Sequence, residues 1–174
     1  MRHWLLALMM FTAPAMGQDN SLRFATSPDA PIELTGKTIT VDQGENRALL
    51  QGAATMKQGE LSLAADSMRV LFDVAPSGAA REIFAKGNVV LIDKLGQTSH
   101  ADNAHFHLQK EQLVMQGNVR VENPHSDDPD SDNQFRNMTG QRLVVDMRTG
   151  ISTMAAQPSD SGTPTPRVRI ELKP

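Results

Sequence analysis

Residues 83–91 read Ile-Phe-Ala-Lys-Gly-Asn-Val-Val-Leu, and this stretch decides the fold. Positions 83, 85, 89 and 91 are apolar, and Gly87 stands at the centre of the series. Apolar residues at every second position are typical of a β-strand with one buried face. A glycine inside a strand destabilises it unless it allows a bulge, a sharp bend or a close backbone approach. The stretch therefore predicts a strand that bends at Gly87.

The same arrangement occurs three times in the chain. Gly52, Gly87 and Gly117 each lie at the centre of an alternating run, and they are 35 and 30 residues apart (87 − 52 and 117 − 87). A second kind of run alternates with the first and begins with a small residue followed by a polar one. Its four copies begin at Gly36-Lys37, Ala65-Asp66, Ala101-Asp102 and Gly140-Gln141. Such internal self-similarity indicates a repeat architecture.

Glycines at equivalent places would bend successive strands at one level, so that the whole sheet curls. A curled sheet with one apolar side is a trough, a jelly roll or a partly closed barrel. The alternative is that these are turn glycines that happen to recur. The equivalent positions of Asp66 and Asp102 favour a structural role, such as bonding to turn amides, over paired acid–base catalysis. No helix is predicted after residue 17, and the fold class is predicted as all-β.

The predicted inward face consists of aliphatic residues and methionine. Aromatic residues make up only 4% of the chain, and tyrosine is absent. A lining of Leu, Ile, Val, Met and Ala is smooth and adaptable, and it suits flexible acyl chains better than a planar cofactor. An ordinary dry sandwich core explains the same pattern, and the residues alone favour that second interpretation.

Composition excludes several classes of protein. The formal net charge of the 174 residues is −3, which argues against nucleic-acid binding because that function needs basic patches. The chain has no cysteine, so disulfides, thiol catalysis, thiolate metal sites and lipoprotein acylation are excluded.

The N-terminus has the layout of an export signal. Met1-Arg2-His3 is basic, residues 4–11 are apolar, and small residues occur among 13–17. The apolar run is shorter than the ~20 residues of a spanning helix, which favours a cleaved signal peptide over a retained anchor. We expect cleavage after Gly17 or Ala15 and a soluble protein in a bacterial periplasm.

One domain is predicted in the exported chain. We assign residues 1–17 to the signal peptide, 18–30 to a flexible segment, 31–154 to the β domain and 155–174 to a Pro/Ser-rich linker. The linker ends in a possible terminal strand, in which Val168, Ile170 and Leu172 alternate with charged residues. Residues 123–134 are polar and acidic, and they predict a long surface loop between two strands.

Tests for metal and catalytic sites are mostly negative. Asp128, Asp130 and Asp132 resemble the start of a calcium loop, but the later glycine and glutamate of an EF-hand are missing. His105 and His107 share the polar face of one strand with His100 nearby, and two histidines at i and i+2 can chelate a metal. No third ligand is fixed by sequence, and we predict no metal site, no cofactor and no enzymatic activity.

The mature chain resembles the OstA-like family of periplasmic lipopolysaccharide transport proteins, which includes LptA. The resemblance covers residues from about 30 to 154 and rests on an ordered series of short motifs. These are Pro31-Ile32-Glu33-Leu34, Leu50-Gln51-Gly52, Ala64-Ala65-Asp66-Ser67-Met68, Lys86-Gly87-Asn88-Val89, Ala101-Asp102 and Met115-Gln116-Gly117-Asn118-Val119.

The resemblance implies an open, twisted β-jelly roll with a hydrophobic groove that receives the acyl chains of lipopolysaccharide. It also implies head-to-tail contacts through sheet edges with an LptC-like inner-membrane partner, an LptD-like outer-membrane partner and other copies of the chain. By position, the groove residues are Ile32, Leu34, Met68, Val70, Val89, Leu91, Phe106, Leu108, Val119 and Val121. Two alternatives remain: an LptC-like or LptD-like adaptor that docks β-edges without carrying lipid, and a periplasmic enzyme or metal protein that uses His100, His105 and His107.

Overall fold

The computed structural model describes residues 30–74, 78–124, 135–156 and 167–172. In these ranges the chain forms β-strands and no helix, so the described residues contain no helix that could cross a bilayer. The predicted all-β class is confirmed. The predicted signal peptide, the calcium-like aspartates and the greater part of the linker lie outside the described residues.

Ten strands are present in the described part of the chain. They are β1 (Ile32–Thr35), β2 (Thr38–Asp42), β3 (Arg47–Gln58), β4 (Leu61–Phe72), β5 (Ala80–Ile92), β6 (Thr98–His107), β7 (Gln112–Glu122), β8 (Phe135–Asp146), β9 (Ser152–Ala155) and β10 (Arg169–Leu172).

All strand pairs are antiparallel and belong to one sheet. Each of the long strands β3 to β8 pairs with the next strand in sequence. At one end of the sheet β1 and β2 pair with different halves of β3, and at the other end β9 and β10 pair with different halves of β8. The predicted terminal strand is therefore present as β10. Because no described pairing joins the first strands to the last, the sheet is open.

A line of bulges crosses the sheet at one level. The register shifts in the middle of every pairing from β3 with β4 to β7 with β8. At each shift, two residues of one strand oppose one residue of its neighbour. The two-residue steps are Gly52-Ala53, Gly87-Asn88 and Gly117-Asn118, and all six residues have a positive φ. We call this the bulge line, and it confirms that the three repeated glycines act at equivalent places.

Each asparagine of the bulge line is held by an aspartate of the preceding strand. Asn88 Nδ2 donates to Asp66 Oδ2 at 2.9 Å, and Asn118 Nδ2 donates to Asp102 Oδ2 at the same distance. The aspartate lies so close that a Cβ at Gly117 would be 2.8 Å from Asp102 Cγ. Asp66 and Asp102 therefore have a structural role, but their partners are side-chain amides rather than turn amides.

In β4 and β6, which pair with the glycine-containing strands, the alternation of inward and outward side chains shifts by one position at the aspartate. In β4 both Ala65 and Met68 are buried although they are three residues apart, and in β6 the same is true of Ala101 and Ala104. The single residue at the bulge line shifts the alternation by one position. This parity change explains why the second kind of run begins with a small residue and a polar one.

The inward faces of all long strands form one core. Buried residues from β3 to β8 make a continuous apolar cluster, and Ile32 and Leu34 of β1 and Met154 of β9 pack against it. A flat sheet with no second layer would leave this apolar face exposed, whereas the residues of the cluster are at most 8% exposed. The sheet is therefore curled around its apolar side, as the repeated bulges require.

Candidate functional site

The structure brings the ten predicted groove residues onto the same inward face. Seven of them are at most 4% exposed, whereas Ile32, Leu34 and Leu108 are half-buried and pack against the cluster. The seven buried residues are Met68, Val70, Val89, Leu91, Phe106, Val119 and Val121. In the structure these side chains contact one another, and their contact with lipid remains a prediction.

The apolar interior continues to the open edge formed by β2. Ile39 and Val41 pair with Leu50 and Ala48 of β3, and directly opposed residues of adjacent strands point to the same face. Leu50 and Ala48 are buried, but Ile39 is 48% exposed and Val41 is 61% exposed. The second kind of run already contained both residues, but sequence alone did not place them at a sheet edge.

The opposite edge has the same character. Ile170 of β10 pairs with the buried Met138, and Ile170 is 51% exposed. Close to this edge lies a cavity of about 290 Å³, just below the roughly 300–1,000 Å³ of ligand pockets. The cavity reaches Val119, and its other lining residues are Asn118, Thr139, Gly140, Gln141, Ala156 and Arg167.

One end of the interior is polar. The side chains of Gln58, Gln97, Ser99 and Asn123 are buried, and all lie on the side of the bulge line where β1 and β10 pair. Asn123 Nδ2 donates to the carbonyl of Phe135 at 3.2 Å. Among the described residues, the amide of Gln97 and the hydroxyl of Ser99 have no hydrogen-bond partner. The interior is therefore amphipathic along its length.

The outer face carries a compact group of titratable side chains. His105 Nε2 donates a hydrogen bond to Glu82 Oε2 at 2.9 Å, and His107 Nε2 lies 3.7 Å from the same oxygen. His100 is on the other side of the bulge line and is outside this group. Of the three histidines in the alternative metal-protein hypothesis, the structure groups only His105 and His107, because the strand register brings Glu82 rather than His100 next to them.

The electrostatics of Glu82 favour its ionised form. Burial raises the pKa of this carboxyl group, but the hydrogen bond from His105 and the charges of His107, His105 and Arg81 outweigh that effect. The pKa of Glu82 therefore lies below its usual value of 4.5. Glu82 is a carboxylate at neutral pH.

A second carboxylate organises the turn after β8. Asp146 Oδ1 accepts hydrogen bonds from the backbone N–H groups of Thr149 at 2.9 Å and Arg148 at 3.0 Å. Chiefly because of the backbone bond from Thr149, the pKa of Asp146 lies below its usual value of 3.8.

We expect Asp146→Asn to lower the Tm at pH 7, because the amide keeps the shape but loses the charge that the turn stabilises. A group whose pKa is lower in the folded state contributes stability above its unfolded pKa of about 3.9. That contribution disappears as the pH falls through the folded pKa, so the Tm difference should shrink toward pH 2. Thermal unfolding of the wild type and of Asp146→Asn between pH 2 and pH 7 measures this Tm difference. An equal Tm difference at pH 2 and pH 7 would contradict the assignment.

Comparisons with known proteins agree with this architecture. The family model described as LptA/(LptD N-terminal domain) LPS transport protein matches residues 33–151. Comparison with curated protein sequences gave no match.

Among solved structures, the chain is similar to LptH, described as the LptA homologous periplasmic component of the conserved lipopolysaccharide transport device from Pseudomonas aeruginosa. The sequences are 14% identical, and the TM-score is 0.67 over 84% of this chain and 98% of LptH. At this identity the similarity shows the fold, and it confirms the predicted β-jelly roll.

Proposed function

Because this chain belongs to the family of LptA and LptD N-terminal domain lipopolysaccharide transport proteins, we propose that it carries lipopolysaccharide through the periplasm. The acyl chains lie inside the curled sheet, and the sugars stay in water. The proposal assigns no catalytic step and no cofactor to the chain.

This proposal rests on one observation: at both open edges of the sheet, apolar side chains that face the interior are exposed to solvent. Ile39, Val41 and Ile170 face inward, yet each is about half exposed or more. Leaving such large apolar groups in water is unfavourable, and covering them with an acyl chain recovers about 25 cal/mol for each Å² buried. The lipid therefore enters between the edges and contacts the ten groove residues inside.

The polar end of the interior supports an amphipathic ligand. Gln97 and Ser99 offer buried hydrogen-bonding atoms next to apolar side chains, and a buried polar group without a partner costs about 1–3 kcal/mol. A ligand with polar groups close to its apolar chains, such as lipopolysaccharide, can bond to these atoms. The net charge of −3 does not attract an anionic lipid, so apolar contacts supply most of the affinity.

The two open edges support a role as a bridge. Edge strands present free N–H and C=O groups to which another chain can add a strand. Contacts between unlike edges repeat head to tail and build an open filament. We propose that one edge docks an LptC-like inner-membrane partner, the other an LptD-like outer-membrane partner, and that copies of the chain join between them.

The proposed location is the periplasm. The family description and the periplasmic location stated for LptH support it, as does the signal-like layout of residues 1–17. We propose that residues 31–154 form the transport domain, and that the strand β10 of the C-terminal segment 155–174 completes the same sheet.

Native mass spectrometry of the mature protein tests the proposal. With added lipopolysaccharide we expect a mass increment of one lipid per chain, and with rising protein concentration we expect a ladder of oligomers. Absence of a lipid adduct at excess ligand would contradict lipid carriage.

A second candidate function is an adaptor that docks edges but carries no lipid. It is favoured by the tight packing of the seven buried groove residues, which are at most 4% exposed. In that case native mass spectrometry shows the oligomers without the lipid adduct, and the two functions are separated by one measurement.

A further inference from the structure

The outer face of the sheet holds a group of side chains that lipid transport does not use. Glu82 stands on β5, and His105 and His107 stand on β6. One ligand atom from each residue lies within 4.8 Å of the others. We propose that these three residues bind a divalent transition-metal ion of the Zn²⁺ type, at a site separate from the apolar interior.

The strand register fixes the three positions. Glu82 pairs with His107 and Phe84 pairs with His105 across β5 and β6, and residues two apart on a strand share a face. All three side chains therefore leave the sheet on its outer side. The site rests on paired strands rather than on a loop, which favours a constant geometry.

The distances are close to those of a coordination sphere. With Zn–N and Zn–O bonds of roughly 2.0–2.1 Å, ligand atoms of a tetrahedral site are about 3.3 Å apart. Glu82 Oε2 lies 2.9 Å from His105 Nε2 and 3.7 Å from His107 Nε2. Small side-chain rotations would place the three atoms around one ion and leave a fourth position to water.

Neighbouring groups hold the ligands in place. The ring of Phe84 stacks on His105 with centroids 4.1 Å apart and an interplanar angle of 16°. Arg81 Nε lies 3.2 Å from Glu82 Oε1, so that the other carboxylate oxygen remains available. Such outer partners orient metal ligands. The side chains of His105 and His107 are 31% and 25% exposed, so an ion can enter from solvent.

The donor set selects the kind of ion. Two imidazole nitrogens and one carboxylate suit Zn²⁺, Ni²⁺ or Cu²⁺, whereas Ca²⁺ and Mg²⁺ prefer oxygen ligands only. The guanidinium of Arg69 lies 4.6 Å from the centre of the Phe84 ring, and with Arg81 it repels a second cation. We therefore expect weaker binding than at a structural site with four protein ligands.

Isothermal titration calorimetry with Zn²⁺ tests the site. The sample is the full mature chain, purified without a histidine tag. We expect one bound Zn²⁺ per chain and no binding of Ca²⁺ at the same concentration. Loss of an outer partner alone weakens metal sites about 10- to 100-fold. Removal of a ligand in His107→Gln or Glu82→Gln should therefore weaken Zn²⁺ binding at least about tenfold.

His100→Gln is the matched control, because it changes the same residue type on the same strand but beyond the bulge line. It should bind Zn²⁺ like the wild type. Cooperative thermal unfolding without metal shows that the compared chains are folded. A Zn²⁺-dependent rise in Tm, present in wild type and His100→Gln and reduced in His107→Gln, shows that the ion binds the folded chain. Absence of binding in the wild type, or equal binding in the wild type and the two ligand variants, would overturn the proposal.

Discussion

Gly117→Ala lowers the free energy of unfolding by about 3 kcal/mol or more, from the combined cost of backbone strain and a displaced polar pair. Gly117 has a φ of +80°, where a side chain is strained, and its Cβ would lie 2.8 Å from Asp102 Cγ and 2.9 Å from Asp102 Cβ. The aspartate must move, and its hydrogen bond from Asn118 is then lost. Urea unfolding followed by circular dichroism measures the change.

Gly96→Ala separates the two parts of that effect. Gly96 has a similar φ of +75°, but its Cβ would meet only Pro124 Cγ at an ordinary 3.5 Å. The free energy of unfolding of Gly96→Ala should therefore fall by only about 1 kcal/mol, the usual cost of placing alanine at a positive φ. Adding Asp102→Ala to Gly117→Ala removes the clash with the carboxyl group and leaves only the 2.9 Å approach to the Cβ of residue 102. The double variant should therefore lose less stability than the two single changes combined. Equal losses in Gly117→Ala and Gly96→Ala would contradict the role of the bulge line.

We expect Ile39→Asp to weaken the proposed lipopolysaccharide binding at least about tenfold while the fold is retained. Because Ile39 is already half buried, covering it is worth roughly half of the about 1.5–3 kcal/mol of a full isoleucine burial. Desolvating the aspartate adds a further penalty, and a tenfold change in affinity corresponds to 1.4 kcal/mol. Ile39 is 48% exposed, so the charged side chain can remain in water when no lipid is bound. An interior change such as Val119→Asp is a poorer test, because Val119 is 1% exposed and a buried charge would unfold the chain.

Leu49→Asp is the matched control for Ile39→Asp. Leu49 lies on the neighbouring strand β3, is 39% exposed and points to the outer face, between the buried Ala48 and Leu50. It should leave lipid affinity unchanged as measured by native mass spectrometry. Equal loss of binding in both variants would show that negative charge near this edge, rather than the inward face, controls binding.

The repeat predicted the sheet because local rules and the global fold agree along most of the chain. The alternation around Gly87 requires one apolar face, and the recurrence of glycine at 52 and 117 places the bends at one level. The parity change at Asp66 and Asp102 was not predicted. It depends on two residues of one strand facing a single residue of its neighbour, and that relation becomes visible only when the pairing is known.

Neither the exposed edge residues nor the group of Glu82, His105 and His107 could be predicted from the sequence, because both depend on which strands pair and in which register. A short alternating run such as residues 38–42 reads alike in the middle of a sheet and at its margin, so Ile39 and Val41 could not be recognised as exposed. Glu82 is more than twenty residues before His105, and only the register of β5 with β6 joins them. The type and spacing of residues on one strand do not predict which residue of the neighbouring strand completes a metal site.

The bulge line also bears on how a sheet of this kind can change in size. The pairs β4/β5 and β6/β7 each bring their own Gly-Asn step and their own aspartate, and these two bond to each other within the pair. A gene duplication that inserted one further pair would keep every existing bond along the line. It would widen the sheet by about 10 Å, since neighbouring strands lie ~4.8 Å apart. The capacity of the interior is thus a quantity that evolution can adjust in steps of one strand pair.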